Sequence, residues 1–328
     1  MNKKLIDNLK KQHYGIVGNH SAVQICRWTK SSLRDEGECY KQKFYGIKSH
    51  RCCQMSCSAV FCQNKCIHCW RAIELTSGDD MKKEETNSPK EIIEVCIKQQ
   101  RKLLSGFNGN EKVNKKKLKE AQEPMQFAIS LTGEPTLYPK IGELISLLRK
   151  RGKTSFLVTN GLNPGILSKL NKERELPTQL YLSLNSPNEK LYNKWHNSKT
   201  KNAWKKFNET LSLFPKLKEK TRTVIRMTLV KGINSNMKDE FVKDYAELIN
   251  KSKSDFIEVK GYMSVGYARN RKGMGYDAMP TYEEVQDYAE KIEKQLGKPY
   301  KILDEHEFSR VILIGRDKKR MKIKKGEI

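Results

Sequence analysis

Long apolar runs are missing from this chain of 328 residues. None reaches the roughly 20 residues that cross a bilayer as a helix, so no membrane-spanning helix is expected. The start, M-N-K-K-L-I-D-N-L-K-K, carries charge but has no apolar core behind it, which excludes a secretory signal. A cytoplasmic location follows as the expectation. Negative charge is scarce too: 38 acidic residues face 64 basic ones, a formal net charge of +26. Such a field attracts polyanions, with nucleic acid the first candidate partner. Lysine-rich surfaces also occur in heat-adapted proteins. No internal repeat of fixed spacing is present. The length allows one large domain or two ordinary ones.

An even cysteine count is lacking as well. Of the nine cysteines, all but Cys96 crowd between Cys26 and Cys69. Disulfides are disfavoured in a reducing cytosol, and crowded cysteines in such a chain read as metal ligands before bridges.

What is present is an alternation. Strand-like stretches fall at 55–61, 126–131, 154–159, 179–184, 223–230 and 255–261, with helical patterns at 89–104, 139–151, 164–172, 201–214, 238–251 and 281–296. Alternating strands and helices imply parallel pairing with right-handed crossovers. Six such units predict an α/β fold, a partial (β/α)6 barrel. The expected organisation is an N-terminal extension over 1–54, the barrel over 55–300, and an edge strand near 311–314 with a basic tail over 301–328. Residues 105–124 read as an exposed insertion. The basic stretch 316–325 is equally a solvated tail or an RNA contact.

Cys62, Cys66 and Cys69 stand in V-F-C-Q-N-K-C-I-H-C-W-R with C-x3-C-x2-C spacing. Three thiolates on one loop suit three corners of a four-iron, four-sulfur cluster and leave one iron open. A zinc knuckle completed by His68 or a fourth cysteine uses the same residues. The loop follows the first expected strand, at the mouth where barrels do their chemistry. The spacing resembles that of radical S-adenosylmethionine (SAM) enzymes, although His68 replaces the aromatic usual before the third cysteine. The resemblance implies SAM chelated by the open iron and cleaved reductively to an adenosyl radical.

The second expected strand runs into S-L-T-G-E-P-T-L-Y-P. It is similar to the family's G-G-E-P motif, which receives the SAM ammonium; Thr132 replaces the first glycine, while Gly133, Glu134 and Pro135 match. Exposed carbonyls and the Glu134 carboxylate suit a cation, and glycine permits close backbone approach. Thr159, Asn160, Ser183 and Asn185 end the next two strands. By the likeness they face the SAM ribose and carboxylate; singly, each reads as a turn or cap residue. Residues 230–232 and 261–263 are candidates to flank the adenine.

Cys26, Cys39 and Cys52 are 13 residues apart, which is no zinc-finger spacing; a fold must gather them, as for a second cluster. With C-Y-K-Q-K-F-Y-G-I-K-S-H-R-C, the Cys62 motif and T-G-E-P-T-L-Y-P, nearly the whole chain resembles the archaeal 4-demethylwyosine synthase family, carbon–carbon lyases of wyosine biosynthesis. That likeness implies an auxiliary [4Fe-4S] cluster on Cys26, Cys39 and Cys52, with pyruvate as second substrate and Lys41 as the amine that forms its Schiff base. Lys43 and Lys48 compete for that role. Consecutive side chains on an extended segment point opposite ways, so only one of Cys52 and Cys53 should face a cluster; Cys57 and Cys96 read as small buried hydrophobes.

The family substrate is N1-methylguanosine-37 of tRNA-Phe. The implied chemistry abstracts a methyl hydrogen, adds the carbon radical to pyruvate, breaks the bond to the carboxyl carbon and closes a third ring with loss of water. A base must leave its stack to reach the mouth. Trp70, Arg71, Tyr267, Arg269 and Arg271 are candidates to receive it or to grip phosphates. His50 and His196 read as structural. No flavin domain fits the chain, so an external electron donor is expected.

Overall fold

The computed structural model describes residue 1, residues 3–76 and residues 78–328. Helix α1 (Lys3–Lys11) precedes a hairpin of β1 (Gly15–Val17) and β2 (Ser21–Gln24). Two short helices follow, α2 (Arg27–Leu33) and α3 (Tyr40–Tyr45), introduced by Cys26 and Cys39 respectively. Then come β3 (Cys52–Ser56), α4 (Pro89–Leu104), α5 (Lys115–Ala121), β4 (Gln126–Ile129), α6 (Ile141–Lys150), β5 (Thr154–Thr159), α7 (Pro164–Lys172) and β6 (Gln179–Ser183). The chain continues through α8 (Glu189–His196), α9 (Ala203–Leu217), β7 (Arg222–Leu229), α10 (Val242–Ser252), β8 (Phe256–Gly261), α11 (Tyr282–Leu296), β9 (Lys301–His306) and β10 (Val311–Gly315).

Among the described residues the ten strands form one sheet, ordered β1-β2-β3-β4-β5-β6-β7-β8-β10-β9. From β3 to β8 the neighbours are parallel. Parallel neighbours require crossovers, and the helices between them supply these, giving the partial six-stranded barrel. β2 and β10 add antiparallel strands at either end. Two sequence expectations change. The first barrel strand is Cys52–Ser56 rather than 55–61, because Met55 already pairs with Ile129, the last residue of β4, and the chain then turns so that Ala59 N–H bonds His20 O at 2.7 Å. Cys62 therefore does not follow directly on the strand but on a loop beyond it. And β10 is no edge strand: β9 lies outside it.

Side chains alternate between two cores, as strand periodicity demands. Leu157, Leu180, Leu182 and Ile225 face outward onto the helices, in the main core. Phe156, Tyr181, Val224 and Phe256 face inward, where they meet Tyr40, Phe44 and Tyr45 of α3. The N-terminal extension thus reaches inside the barrel. Each large side chain buried there contributes roughly 1.5–3 kcal/mol. The 105–124 insertion is also less exposed than its composition implies: Leu118 and Ala121 of α5 bury against Ile25, Leu33 and Leu104.

The tail beyond β10 crosses the N-terminal ends of the parallel strands. Arg222, which opens β7, pairs with Glu327 at 3.2 Å and bonds Met321 O at 2.8 Å, and Arg320 meets Asp255 at 2.7 Å. A cleft of about 510 Å³ lies at this end, lined by Arg149, Arg174, Lys220 and Arg320 among others. It is at the opposite end of the barrel from the Cys62 loop.

Candidate active site

Cys62, Cys66 and Cys69 share one loop that two later elements hold. On either side of Cys66, Lys65 N–H bonds His196 O at 2.9 Å and Ile67 N–H bonds Trp195 O at 3.0 Å, tying the loop to the last turn of α8. The Arg271 guanidinium donates to the carbonyls of Ile67, Cys69 and Arg71. Burial pushes the Cys62 thiol up to about 11, while the Arg71 guanidinium beside it pulls the other way. Cys66 is raised by burial and by the neighbouring charges of Cys62 and Cys69. The three sulfurs therefore feel one another and one buried cation. None is in a disulfide. Among the described residues no three Cys, His, Asp or Glu side chains converge tightly enough for a single ion. Three thiols on one loop are the donor set of a cubane, in which each thiolate would bind its own iron.

The T-G-E-P segment lies directly against that loop. Gly133 has φ +76°, and a Cβ there would sit 1.8 Å from Ser58 O. Its lack of a side chain serves close approach to the chain's own backbone. Thr132 Oγ1 donates to Ala59 O at 2.9 Å, and Glu134 N–H bonds Phe61 O at 2.8 Å. The Glu134 carboxylate is buried and occupied by Thr136, by Thr159 Oγ1 at 2.7 Å and by Asn160 N–H at 2.7 Å. Burial raises its pKa against those donors. Through those donors it clamps the β4 and β5 ends together. Pro135 begins a single turn of 3-10 helix that carries the segment away.

The strand-end polar residues meet around the same loop. Asn160 Nδ2 donates to Gln63 Oε1 at 3.2 Å and lies 3.9 Å from the Cys62 sulfur. Asn185 accepts from Thr228 N–H at 3.0 Å and places Nδ2 3.4 Å from His68 Nε2. Ser183 is half-buried, and its hydroxyl has no partner among the described residues.

A second thiol set lies at the other end of β3. Burial pushes Cys39 up to about 12, with the charge of Cys26 adding and Lys41 opposing. Cys52 is raised by burial and by Cys26 and Cys39, again with Lys41 opposing. Cys26, Cys39, Cys52 and Lys41 are thus mutual electrostatic neighbours. Cys53 points the other way, into the outer core with Cys57 and Cys96. Lys41 is 9 % exposed. Its Nζ lies 4.6 Å from the Phe156 ring centre and 4.5 Å from that of Tyr181, within cation–π range. Among the described residues Nζ has no hydrogen bond or ion pair. Lys43 instead pairs with Asp304 at 2.9 Å, and Lys48 with Glu120 at 3.2 Å, both at the surface.

The radical SAM superfamily matches residues 57–245, and wyosine base formation matches 251–316. An S-adenosyl-L-methionine-dependent tRNA 4-demethylwyosine synthase of Pyrococcus abyssi is 46 % identical over 97 % of this chain and 90 % of that protein. The one from Methanocaldococcus jannaschii is 37 % identical over 95 % and 96 %. This chain belongs to the tRNA 4-demethylwyosine synthase family. A solved structure described as TYW1 with a lysine-pyruvate adduct bound superposes with a TM-score of 0.83, at 35 % identity and over 99 % of both chains. As a radical SAM enzyme, this family member uses SAM and a [4Fe-4S] cluster.

Within the family frame, several RNA candidates take other positions. Arg71 is buried and donates to Asn64 O at 2.7 Å, and Arg271 holds the cysteine loop, so neither is free to grip phosphate. Trp70 is partly buried, with its indole N–H on Leu131 O at 3.0 Å and Tyr267 N–H on its carbonyl at 2.9 Å. Of the set, Arg269 alone is exposed. His50 pairs with Glu120 at 2.8 Å. The sequence reading missed Arg226 and Glu258, direct partners across β7 and β8. Arg226 Nε bonds Glu258 at 2.9 Å, and the hydroxyls of Tyr40 and Tyr45 complete the carboxylate at 3.1 and 2.7 Å. Burial pushes Glu258 up, but Arg226 and Lys41 outweigh it and hold it below the usual value. The available signal was charge inside R-T-V-I-R-M-T-L and F-I-E-V-K-G, two otherwise apolar strands.

Proposed function

We propose that this chain is a 4-demethylwyosine synthase that condenses N1-methylguanosine-37 of tRNA-Phe with a two-carbon unit from pyruvate. In this reading Cys62, Cys66 and Cys69 hold the SAM-binding cluster, and Cys26, Cys39 and Cys52 hold an auxiliary one. When bound, the first cluster would supply the electron for SAM cleavage. Around it, Thr132, Gly133 and Pro135 line SAM with backbone groups, Glu134 stiffens that wall, and Asn160, Ser183 and Asn185 offer polar side chains. Thr159 acts through Glu134.

The observation that carries the pyruvate assignment is Lys41. Its amine is buried between the auxiliary thiols and two lumen rings with no ion pair among the described residues, and burial together with the Arg226 charge lowers its pKa against the opposing pull of Glu258. Desolvation favours a neutral, nucleophilic amine. That amine adds to the keto carbon of pyruvate, and water leaves as the C=N bond forms. The relative with a lysine-pyruvate adduct supports this reading. An external electron donor completes the set of partners. No helix among the described residues is long and apolar enough to cross a membrane.

The test is anaerobic reconstitution with iron and sulfide, then incubation with SAM, dithionite, pyruvate and tRNA-Phe bearing N1-methylguanosine. Nucleoside analysis should show the tricyclic base only when pyruvate is present. Deoxyadenosine release without any new nucleoside would replace this function by another radical SAM reaction.

A further inference from the structure

We propose that His196 is a positioning residue for the SAM-binding cluster: its Nδ1–H hydrogen-bonds the Cys66 sulfur and raises the potential at which that cluster accepts an electron. The proposal rests on the radical SAM reading above. Nδ1 lies 3.2 Å from Cys66 Sγ, closer than the 3.9 Å separating Asn160 from Cys62.

The ring has little freedom to leave. The backbone bonds of Lys65 and Ile67 to His196 and Trp195 fix the register of α8 against the loop on both sides of Cys66. The helix stops immediately afterwards at Asn197, which adopts a left-handed φ of 39°. The Tyr192 ring packs 4.3 Å from the imidazole and the His68 ring 6.1 Å away, edge-on. His196 itself is 4 % exposed, so water does not compete for the bond.

The chemistry selects one tautomer. A metal-bound thiolate carries no proton and can only accept, so the contact requires the proton on Nδ1. Nε2 has no partner among the described residues. With the proton on Nδ1 it is left as a bare acceptor, and no buried N–H is stranded. A neutral imidazole suffices, and no change of charge is invoked. A donor aimed at a cluster sulfur stabilises the reduced, more negative state, and such bonds are among the factors that set cluster potentials. Burial in a low dielectric strengthens the effect. His68, unusual in its place before the third cysteine, packs against Trp195 at 5.3 Å and so buttresses the same turn.

The experiment is an EPR-monitored redox titration of the reconstituted full chain, following the signal that changes on SAM addition. His196→Phe should lower the reduced-to-oxidised ratio about tenfold at any fixed potential, equivalent to a midpoint lower by ~59 mV for one electron, at unchanged iron content. His196→Asn, whose amide N–H can take the place of Nδ1–H, should recover to within about threefold. An unchanged midpoint in His196→Phe overturns the proposal. Pulsed EPR on wild-type protein labelled with 15N-histidine provides a readout that needs no variant. A weak nitrogen coupling to the SAM-responsive cluster supports the bond, and its absence overturns it. A complete lack of SAM-responsive signal would bring down the family reading along with this one; an unchanged potential brings down this one alone.

Discussion

A lysine inside a barrel is out of place unless something uses it, because a buried ammonium without a partner is costly. Lys41→Ala should therefore remove the borohydride-trapped pyruvate adduct, read as a mass increment on the intact protein, while deoxyadenosine release persists. Lys41→Arg should fail equally, since a guanidinium stays protonated. An adduct of undiminished yield in either variant would move the amine elsewhere. Cys39→Ala separates the two thiol sets: SAM cleavage continues and base formation stops, as measured by paired deoxyadenosine and nucleoside analysis. A productive Cys39→Ala enzyme would defeat the auxiliary assignment. Arg226 makes a stability prediction. Arg226→Met removes the one cation hydrogen-bonded to the buried Glu258 carboxylate among the described residues and leaves two tyrosine hydroxyls as its hydrogen-bond donors. Breaking a buried pair this way costs about 3–5 kcal/mol, measurable by urea denaturation. A loss under ~1 kcal/mol would mean that the pair contributes little.

At the scale of elements, the decisive contact is between the β4 turn and the Cys62 loop. Gly133→Ala forces a methyl onto Ser58 O at 1.8 Å, at a φ that side chains avoid. The two segments must separate, so iron bound per chain should fall by half or more while far-UV dichroism stays near wild type. Full iron loading would show that the approach is dispensable. The six parallel strands were legible because each is an apolar run bounded by turn residues, and five were placed within two residues of their observed bounds. The first was not, because M-S-C-S-A-V-F continues the apolar pattern past Ser56, where pairing has already ended. The short helices α2, α3 and α8 carry too few turns to show a periodicity. The motif cysteines were legible from spacing and family likeness. The employment of Glu134, Arg71 and Arg271 was not, since each depends on backbone carbonyls or amides brought close only by the fold.

For the whole molecule, the excess of basic residues sets how it meets tRNA. If binding neutralises about six or more phosphates, raising salt from 50 to 200 mM should weaken tRNA affinity by on the order of a thousandfold, read by filter binding. The same assay should leave Lys318→Glu with Lys319→Glu within about twofold of wild type. Both lysines are exposed, but they sit on the tail that crosses the barrel floor, away from the cysteine loop. A large loss would place RNA on that floor instead. The plugged lumen has a further consequence. With α3 packed against the inward strand residues and the tail crossing the floor, a polynucleotide drawn to the cysteine-loop end would cover the opposite mouth. If that cover closes off Lys41, the keto acid binds first, and excess modified tRNA added before it should delay, rather than speed, the opening turnover.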